Sequence, residues 1–472
     1  MDLGTHGQSD DELRSALTRL VKQLVQDEPN AARRGDDLLP ILDAHLGVAA
    51  DELAVVVEPI MIHRWADTDI ALEAIVARDP AARLLGVGGG DQRHHSSLSD
   101  LMANAEWGRF RSGQVDRLNV ATGPDTERAT VAFGLHLFHH EGAPMVVVQR
   151  VGNPEYGSQA RLEVLATDPE VVTAMLAELR EESMRRSVLW RQVISFSTNP
   201  YERSMSGLTF HRRPDLPASN VVLPAGTLEQ VRAHVVGLAQ HRELLRDKGQ
   251  HLKRGVLLYG PPGTGKTHTV RHLLSAASDT TVVLMSGTEM AHVGTAAQIA
   301  RAHQPAVVVI EDCDLIAEDR DHHFGGGASP LLFTLLDAMD GLDQDADVVF
   351  LLTTNRAEAL EKALTQRPGR VDLAVEIPLP EEADRRTLIR LYAAELAFSS
   401  VAISRAARES AGTTASYAKE LVRRAVLLAA MAGREPSDEH LAAATEELLA
   451  DSSRLTRALL GSNDDSGETS AD

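Results

Sequence analysis

Residues 260–267 read Gly260-Pro261-Pro262-Gly263-Thr264-Gly265-Lys266-Thr267, and this stretch decides the fold. Its spacing matches G-x-x-x-x-G-K-[ST], the pattern of a phosphate-cradling P-loop. The glycines let successive backbone N–H groups curl around a phosphate chain, and a helix beginning at Lys266 turns its positive end toward the same place. Lys266 supplies a point charge for the β- and γ-phosphates, and the Thr267 hydroxyl takes a position on magnesium. His268, next in line, is counted with the nucleotide contacts. The flanks agree, with a short apolar strand at Gly255–Tyr259 and a helix over 266–277.

Strand and helix alternate downstream. Strands are expected at Thr281–Met285, Val307–Ile310, Val348–Thr353 and Val371–Ile377, with helices at 295–303 and Leu331–Met339. Such alternation predicts a parallel sheet covered by helices on both faces. The run Val307-Val308-Val309-Ile310 is continuously apolar, as a strand buried on both faces must be, and it ends in Glu311-Asp312. Two carboxylates at the tip of a buried strand are costly unless they face a cation or solvent. By position Glu311 is the metal-side acid, acting through water, and Asp312 the group that polarises an attacking water. This strand is expected beside the P-loop strand.

Two further segments fit the same chemistry. Leu351-Leu352-Thr353-Thr354-Asn355 ends a strand in polar residues, and Asn355 can hydrogen-bond a γ-phosphate or the water. Arg367-Pro368-Gly369-Arg370 sets two arginines on a tight turn. That arrangement suits phosphate recognition from a neighbouring subunit and equally suits a solvated surface turn.

Beyond Pro380 the pattern is purely helical, clearest at Ala383–Leu396 and Tyr417–Met431, and the Ser/Asp/Glu/Gly-rich end is expected to be disordered. Before the P-loop, an amphipathic helix is expected from Leu228 to Leu245. Prolines 200, 214, 217 and 224 punctuate a polar stretch that reads as a linker. The N-terminal part mixes helix and strand. Leu13, Leu17, Leu20, Val21 and Leu24 keep helical spacing, and Asp168 is placed to cap a helix over 168–187. Gly86–Gly90 is glycine-rich without a surrounding strand–GxGxxG–helix unit, so it reads as a loop. His136, His139 and His140 lie in an alternating apolar stretch and read as strand residues, since a metal site needs three or four converging ligands. Cys313 reads as a small buried residue, and His322 and His323 fall in a glycine-rich loop.

Three domains, a linker and a tail follow: an α+β domain at 1–200, a linker at 201–227, an α/β nucleotide-binding domain at 228–380, a helical lid at 381–458 and an acidic tail at 459–472. A net charge of −21 repels phosphate backbones and anionic lipids, which disfavours a DNA-handling role. One cysteine excludes an intrachain disulfide. With neither a signal pattern nor an apolar run of about 18 residues, the expected location is the cytoplasm, off the membrane.

Together the P-loop, the acidic strand, Asp340-Gly341-Leu342, Thr354-Asn355-Arg356 and the Arg-Pro-Gly-Arg turn resemble the AAA ATPase family over roughly Val221 to Leu449. The resemblance implies a P-loop NTPase domain with a helical lid that hydrolyses Mg-ATP. It also implies a ring, usually of six subunits, with Arg367 and Arg370 reaching the site next door. Such rings remodel, unfold or disassemble proteins, in chaperone-like fashion, and the N-terminal region selects the substrate or adaptor. The chain departs from the family pattern in three places. Glu311-Asp312 stands where Asp-Glu is usual, so the water-activating acid is one methylene short and slow turnover is expected. Ala291-His292-Val293-Gly294 stands where aromatic–apolar–Gly is usual in the pore loop. Gly412-Thr413-Thr414-Ala415-Ser416 replaces a Ser-Gly-Ala-Asp-like stretch of the lid. An ATP-dependent assembly scaffold with little hydrolysis is the alternative that the first two departures favour. No HExxH occurs, which separates the chain from the family's metalloproteases.

Overall fold

A computed structural model describes residues 35–89, 91–104, 110–152, 159–197, 207–237, 241–313, 334–335, 337–339, 345–356 and 370–450. The helix expected at 13–26, the loop carrying His322 and His323, Asp340-Gly341-Leu342, Arg367-Pro368-Gly369 and the tail at 459–472 lie outside the described residues. The chain divides into two compact units, Met1–Val188 with Tyr201–Leu208 and Leu189–Pro200 with Thr209–Asp472.

The first unit is a mixture of helix and sheet. Its strands are β1 (Val56–Pro59), β2 (Arg83–Val87), β3 (Ser112–Gly113), β4 (Asp116–Gly123), β5 (Thr126–His140), β6 (Ala143–Arg150) and β7 (Arg161–Ala166), in the order β1-β7-β6-β5-β2-β3 with β4 on β5. Period-two alternation sorts β6 between two cores. Val146 and Val148 face α1 (Leu38–Leu46) and α3 (Leu98–Ala103). Met145 and Val147 face α2 (Trp65–Val76) and α4 (Pro169–Arg185). Asp168 caps α4 as expected, accepting the Glu170 N–H at 2.8 Å. Gly86 lies inside β2, not in a loop, because β2 runs so close to Gln114 that a Cβ there would sit 1.8 Å from its carbonyl oxygen. The three histidines of β5 separate: His136 bonds Gln149, His139 bonds Asp79 and His140 bonds Glu178. Among the described residues no three His, Cys, Asp or Glu side chains converge as metal ligands.

The second unit is built on a seven-stranded sheet. Its strands are β8 (Val193–Phe196), β9 (Leu208–His211), β10 (Arg254–Tyr259), β11 (Thr281–Met285), β12 (Ala306–Ile310), β13 (Val348–Thr354) and β14 (Leu373–Glu376), in the order β14-β10-β13-β12-β11-β8-β9. The sequence boundaries at 200 and 227 cut across this sheet. Val193, Ile194 and Ser195 pair in parallel with Val282, Val283 and Leu284 of β11, and β9 lies in the stretch read as linker. Short strands among prolines and polar residues leave little periodic signal.

Helices α5 (Thr227–Arg232) and α6 (Arg242–Asp247) replace the single helix expected from Leu228 to Leu245, because Ala233–Gly237 winds as a π-helix. Helices α7 (Lys266–Ala276) and α8 (Val293–Ala302) flank the sheet, and 334–335 and 337–339 are helical. The lid is all helix: α9 (Glu382–Ala393), α10 (Ser400–Glu409), α11 (Ala415–Met431) and α12 (Asp438–Leu449). They close on Leu388, Ile403, Tyr417, Leu421 and Leu441. No described helix is long and apolar enough to cross a membrane.

Candidate functional site

Strand β10 delivers the chain at Tyr259 into the loop, and helix α7 takes it up at Lys266. Gly260, Gly263 and Gly265 between them adopt φ of 146°, 76° and 112°. These are conformations that side chains with a Cβ rarely tolerate. At Gly260 an added Cβ would also lie 2.2 Å from the Ile377 carbonyl oxygen. The Lys266 ammonium donates to the carbonyls of Gly260 and Pro261, each at 2.8 Å, so the loop wraps its own cation. The Thr264 hydroxyl donates to the Pro261 carbonyl at 3.0 Å and pins the turn. Thr267 is exposed at the start of α7, and the His268 ring nitrogen lies 3.1 Å from the Asn220 carbonyl. The far end of α7 is held by Arg213, whose guanidinium donates to Leu274 and Ala277 carbonyls at 2.9 Å and to Thr280 at 2.7 Å. A cation there complements the negative end of the helix.

The acidic strand β12 does not lie beside β10. Strand β13 stands between them, pairing in parallel with both. All seven residues of β13 are buried, which suits a strand covered on both faces and both edges. The strand tips carrying Lys266 and the acids are therefore two strand spacings apart, about 10 Å, and point the same way. Asn355, at the tip of β13, falls between them.

Glu311 anchors its backbone N–H on the Met285 carbonyl at 3.0 Å. Its buried Oε1 meets no hydrogen-bond donor among the described residues. A carboxylate oxygen in that position fits a hydrated cation, and the exposed Thr267 hydroxyl adds a second oxygen of the kind magnesium takes. Asp312 is exposed and sits at φ 52°, one of four non-glycine residues with positive φ among those described. Its N–H donates to the Thr353 hydroxyl at 3.1 Å, and the next N–H, of Cys313, donates to the Thr353 carbonyl at 2.9 Å. The Asn355 amide approaches Asp312 Oδ1 at 3.4 Å. Cys313 is buried, as expected.

Arg370 is only 6% exposed, and its carbonyl presses on Gly255 at the base of β10, where a Cβ would come within 1.9 Å. The spacing leaves both arginines open between a neighbouring subunit's phosphates and a solvated surface turn. Arg370 packs into its own domain, just ahead of the strand β14 that pairs with β10. The departing lid sequence does reach the P-loop: Ser416 donates to the Gly263 carbonyl through its N–H at 3.1 Å and its hydroxyl at 3.3 Å. Within Ala291–Gly294, His292 stacks on Phe196 at 4.8 Å. Thr353, Ser416 and Arg213 escaped the sequence reading. Each acts through a hydroxyl, a backbone N–H or a carbonyl partner distant in sequence, which no local pattern encodes.

With this geometry in place, residues 256–379 match the family "ATPase family associated with various cellular activities (AAA)". Residues 256–379 are an AAA ATPase domain. The chain is similar to the ATP-dependent zinc metalloprotease FtsH of Acidothermus cellulolyticus, 34% identical over 238 residues, 47% of this chain and 35% of that protein. It is similar to proteasome-activating nucleotidase 1 of Halobacterium salinarum, 35% identical over 177 residues, 35% of this chain and 43% of the other. It is also similar to the 26S proteasome regulatory subunit 8 homolog of Saccharomyces cerevisiae, 31% identical over 196 residues, 38% of this chain and 48% of that one. The chain thus spans between about a third and a half of these relatives. The AAA domain accounts for the P-loop, the acidic strand and the strand ending in Asn355.

Proposed function

We propose that the protein hydrolyses ATP bound with Mg2+ and, assembled as a homo-oligomeric ring, spends the cycle on remodelling a protein partner held by the first unit. The observation that carries this reading is the convergence of Lys266, Asn355 and the Glu311-Asp312 pair at the tips of β10, β13 and β12. Lys266, already cradled by loop carbonyls, turns its charge to the β- and γ-phosphates. Thr267 directly and Glu311 through water would hold the magnesium ion. Held by these residues, the ion would supply positive charge to offset that of the phosphates. Asp312 takes a proton from the attacking water, and Asn355 orients the water and the γ-phosphate. Arg367 from a neighbouring subunit supplies the positive charge that bond cleavage needs, while Arg370 packs at the base of β10.

The names of the proteasome-related relatives support a protein as the cargo; a ring of six subunits and a cytoplasmic setting belong to the same proposal. Lys266→Ala should abolish ATP binding in calorimetry and phosphate release together, and retained turnover would refute the assignment. Asp312→Asn should bind ATP, turn over slowly and retain the partner in a pull-down. A second reading, an ATP-gated scaffold with little hydrolysis, draws support from the short Asp312 side chain and its long 3.4 Å approach to Asn355. Phosphate release by the unmodified protein separates the two.

A further inference from the structure

Asp312 occupies a backbone conformation that opposes it. For a residue with a Cβ, φ near 52° is disfavoured, and Asp is among the few types that bear it. Something must hold it there. The candidates are few, because residue 312 lies past the last ladder position of β12: Ile310 is the final residue paired with β13. The hold comes from one residue, Thr353. Its hydroxyl accepts the Asp312 N–H and its carbonyl accepts the Cys313 N–H, so two consecutive amides close on the same side chain and peptide. Thr353 is itself fixed. It is 1% exposed and in register with Leu258 of the P-loop strand. A buried hydroxyl at this end of a mostly apolar strand would cost free energy without such a partner. Two positions on, the same strand carries Asn355, whose amide meets Asp312 Oδ1.

We infer that Thr353 is a positioning residue for hydrolysis: its hydroxyl clamps the Asp312 backbone in the left-handed conformation, so that the shorter acid is held in register with Asn355. This inference rests on the ATPase reading above. It goes further by assigning a task to a side chain that acts through another residue, Asp312. The left-handed turn thereby sets the direction of the Cα–Cβ bond, and the missing methylene makes that direction matter more.

Two hydroxyl-deletion pairs test the idea in the full chain: Thr353→Val against the unmodified protein, and Thr353→Ala against Thr353→Ser. Four readouts are taken: kcat and KM for phosphate release, equilibrium ATP affinity, melting temperature, and hydrogen exchange of the Glu311–Cys313 amides in nucleotide-free protein. Loss of the hydroxyl is expected to lower kcat about tenfold with ATP affinity within about twofold, the size of one lost hydrogen bond. The Glu311–Cys313 amides should exchange faster, while Thr353→Ser keeps both near their original values. In an Asp312→Ala background the same hydroxyl deletion should leave kcat unchanged, since the group acts through Asp312.

Equal kcat within each pair overturns the inference. So does a hydroxyl effect that survives Asp312→Ala, or a matched loss in Ser and Ala variants. If Thr353→Val does not fold, the Ser–Ala pair decides. If the unmodified protein releases no phosphate, the ATPase reading itself falls, and this inference with it.

Discussion

Removal of one buried carboxylate at the foot of the nucleotide sheet gives the sharpest test of how the site is supported. Arg254 opens β10 and Asp347 immediately precedes β13, the two strands whose far ends carry the P-loop and Asn355. The guanidinium and carboxylate lie 3.0 Å apart, and each side chain is 3% exposed. Burial pushes the Arg254 guanidinium below its ordinary value, and Asp347 is the chief group opposing that. The pair is an ion pair by distance, although Asp347 Oδ1 makes no well-aligned hydrogen bond, so its attraction is mainly coulombic. Asp347→Ala leaves a buried cation whose remaining hydrogen bonds go to the carbonyls of Leu252 and Val235. Breaking one side of such a pair costs about 3–5 kcal/mol. At about 2–4 °C per kcal/mol for a unit of this size, the melting transition should drop by roughly 6–20 °C. Scanning calorimetry with and without ATP identifies the nucleotide unit's transition and measures the drop. Replacing both partners, Arg254→Met with Asp347→Leu, removes the uncompensated charge and should recover most of the loss. A drop under about 2 °C for the single variant, or a double variant as unstable as the single, would refute the reasoning.

Three further outcomes follow from the coordinates. Gly263→Ala forces a Cβ onto φ 76° and to within 3.0 Å of the Ser416 hydroxyl, so ATP affinity should fall roughly tenfold or more, and unchanged affinity in a binding titration would contradict the strain. Gly255→Ala drives a Cβ to 1.9 Å from the Arg370 carbonyl and disturbs the paired bonds between Gly255 and Asp372. It should cost about 1–3 kcal/mol by urea unfolding and lower phosphate release with it. In the first unit, loss of solvation raises the carboxyl of buried Asp67 above its ordinary value, against hydrogen bonds from Ser187 and Val188. The folded state therefore holds that proton more tightly than the unfolded chain. Stability from this group is full below the unfolded value of about 3.9 and declines as pH rises through the raised folded value. Asp67→Asn should flatten the decline of melting temperature over that window, and parallel pH curves would argue against the assignment.

The sequence carried its information unevenly. Lys266, Thr267, Glu311, Asp312 and Asn355 were legible because each follows a strand in a fixed local pattern, and the P-loop needs its glycines whatever the surroundings. The neighbour order of the strands was not legible, since parallel strands joined by helices can be ordered in several ways and nothing local places β13 between β10 and β12. Strands β8 and β9 were missed because four residues among prolines give no periodic signal. The left-handed backbone at Asp312 and the burial of Arg370 depend on partners, Thr353 and Gly255, that lie 41 and 115 positions away by residue number. In the first unit the histidines were read correctly as strand residues: the two-residue period puts His139 on the face opposite His136 and His140, and four residues of strand hold those two about 13 Å apart.

The two small strands at the rim have a practical meaning. A fragment begun where composition changes, near residue 228, would strip β8 and β9 and bare the hydrogen-bonding edge of β11, whose Val282 and Val283 are fully buried. An uncovered apolar edge recruits foreign strands and precipitates. Trimming the chain at Leu189 instead keeps the sheet's own selvedge, and expression yield of the two fragments would show which boundary the protein itself uses.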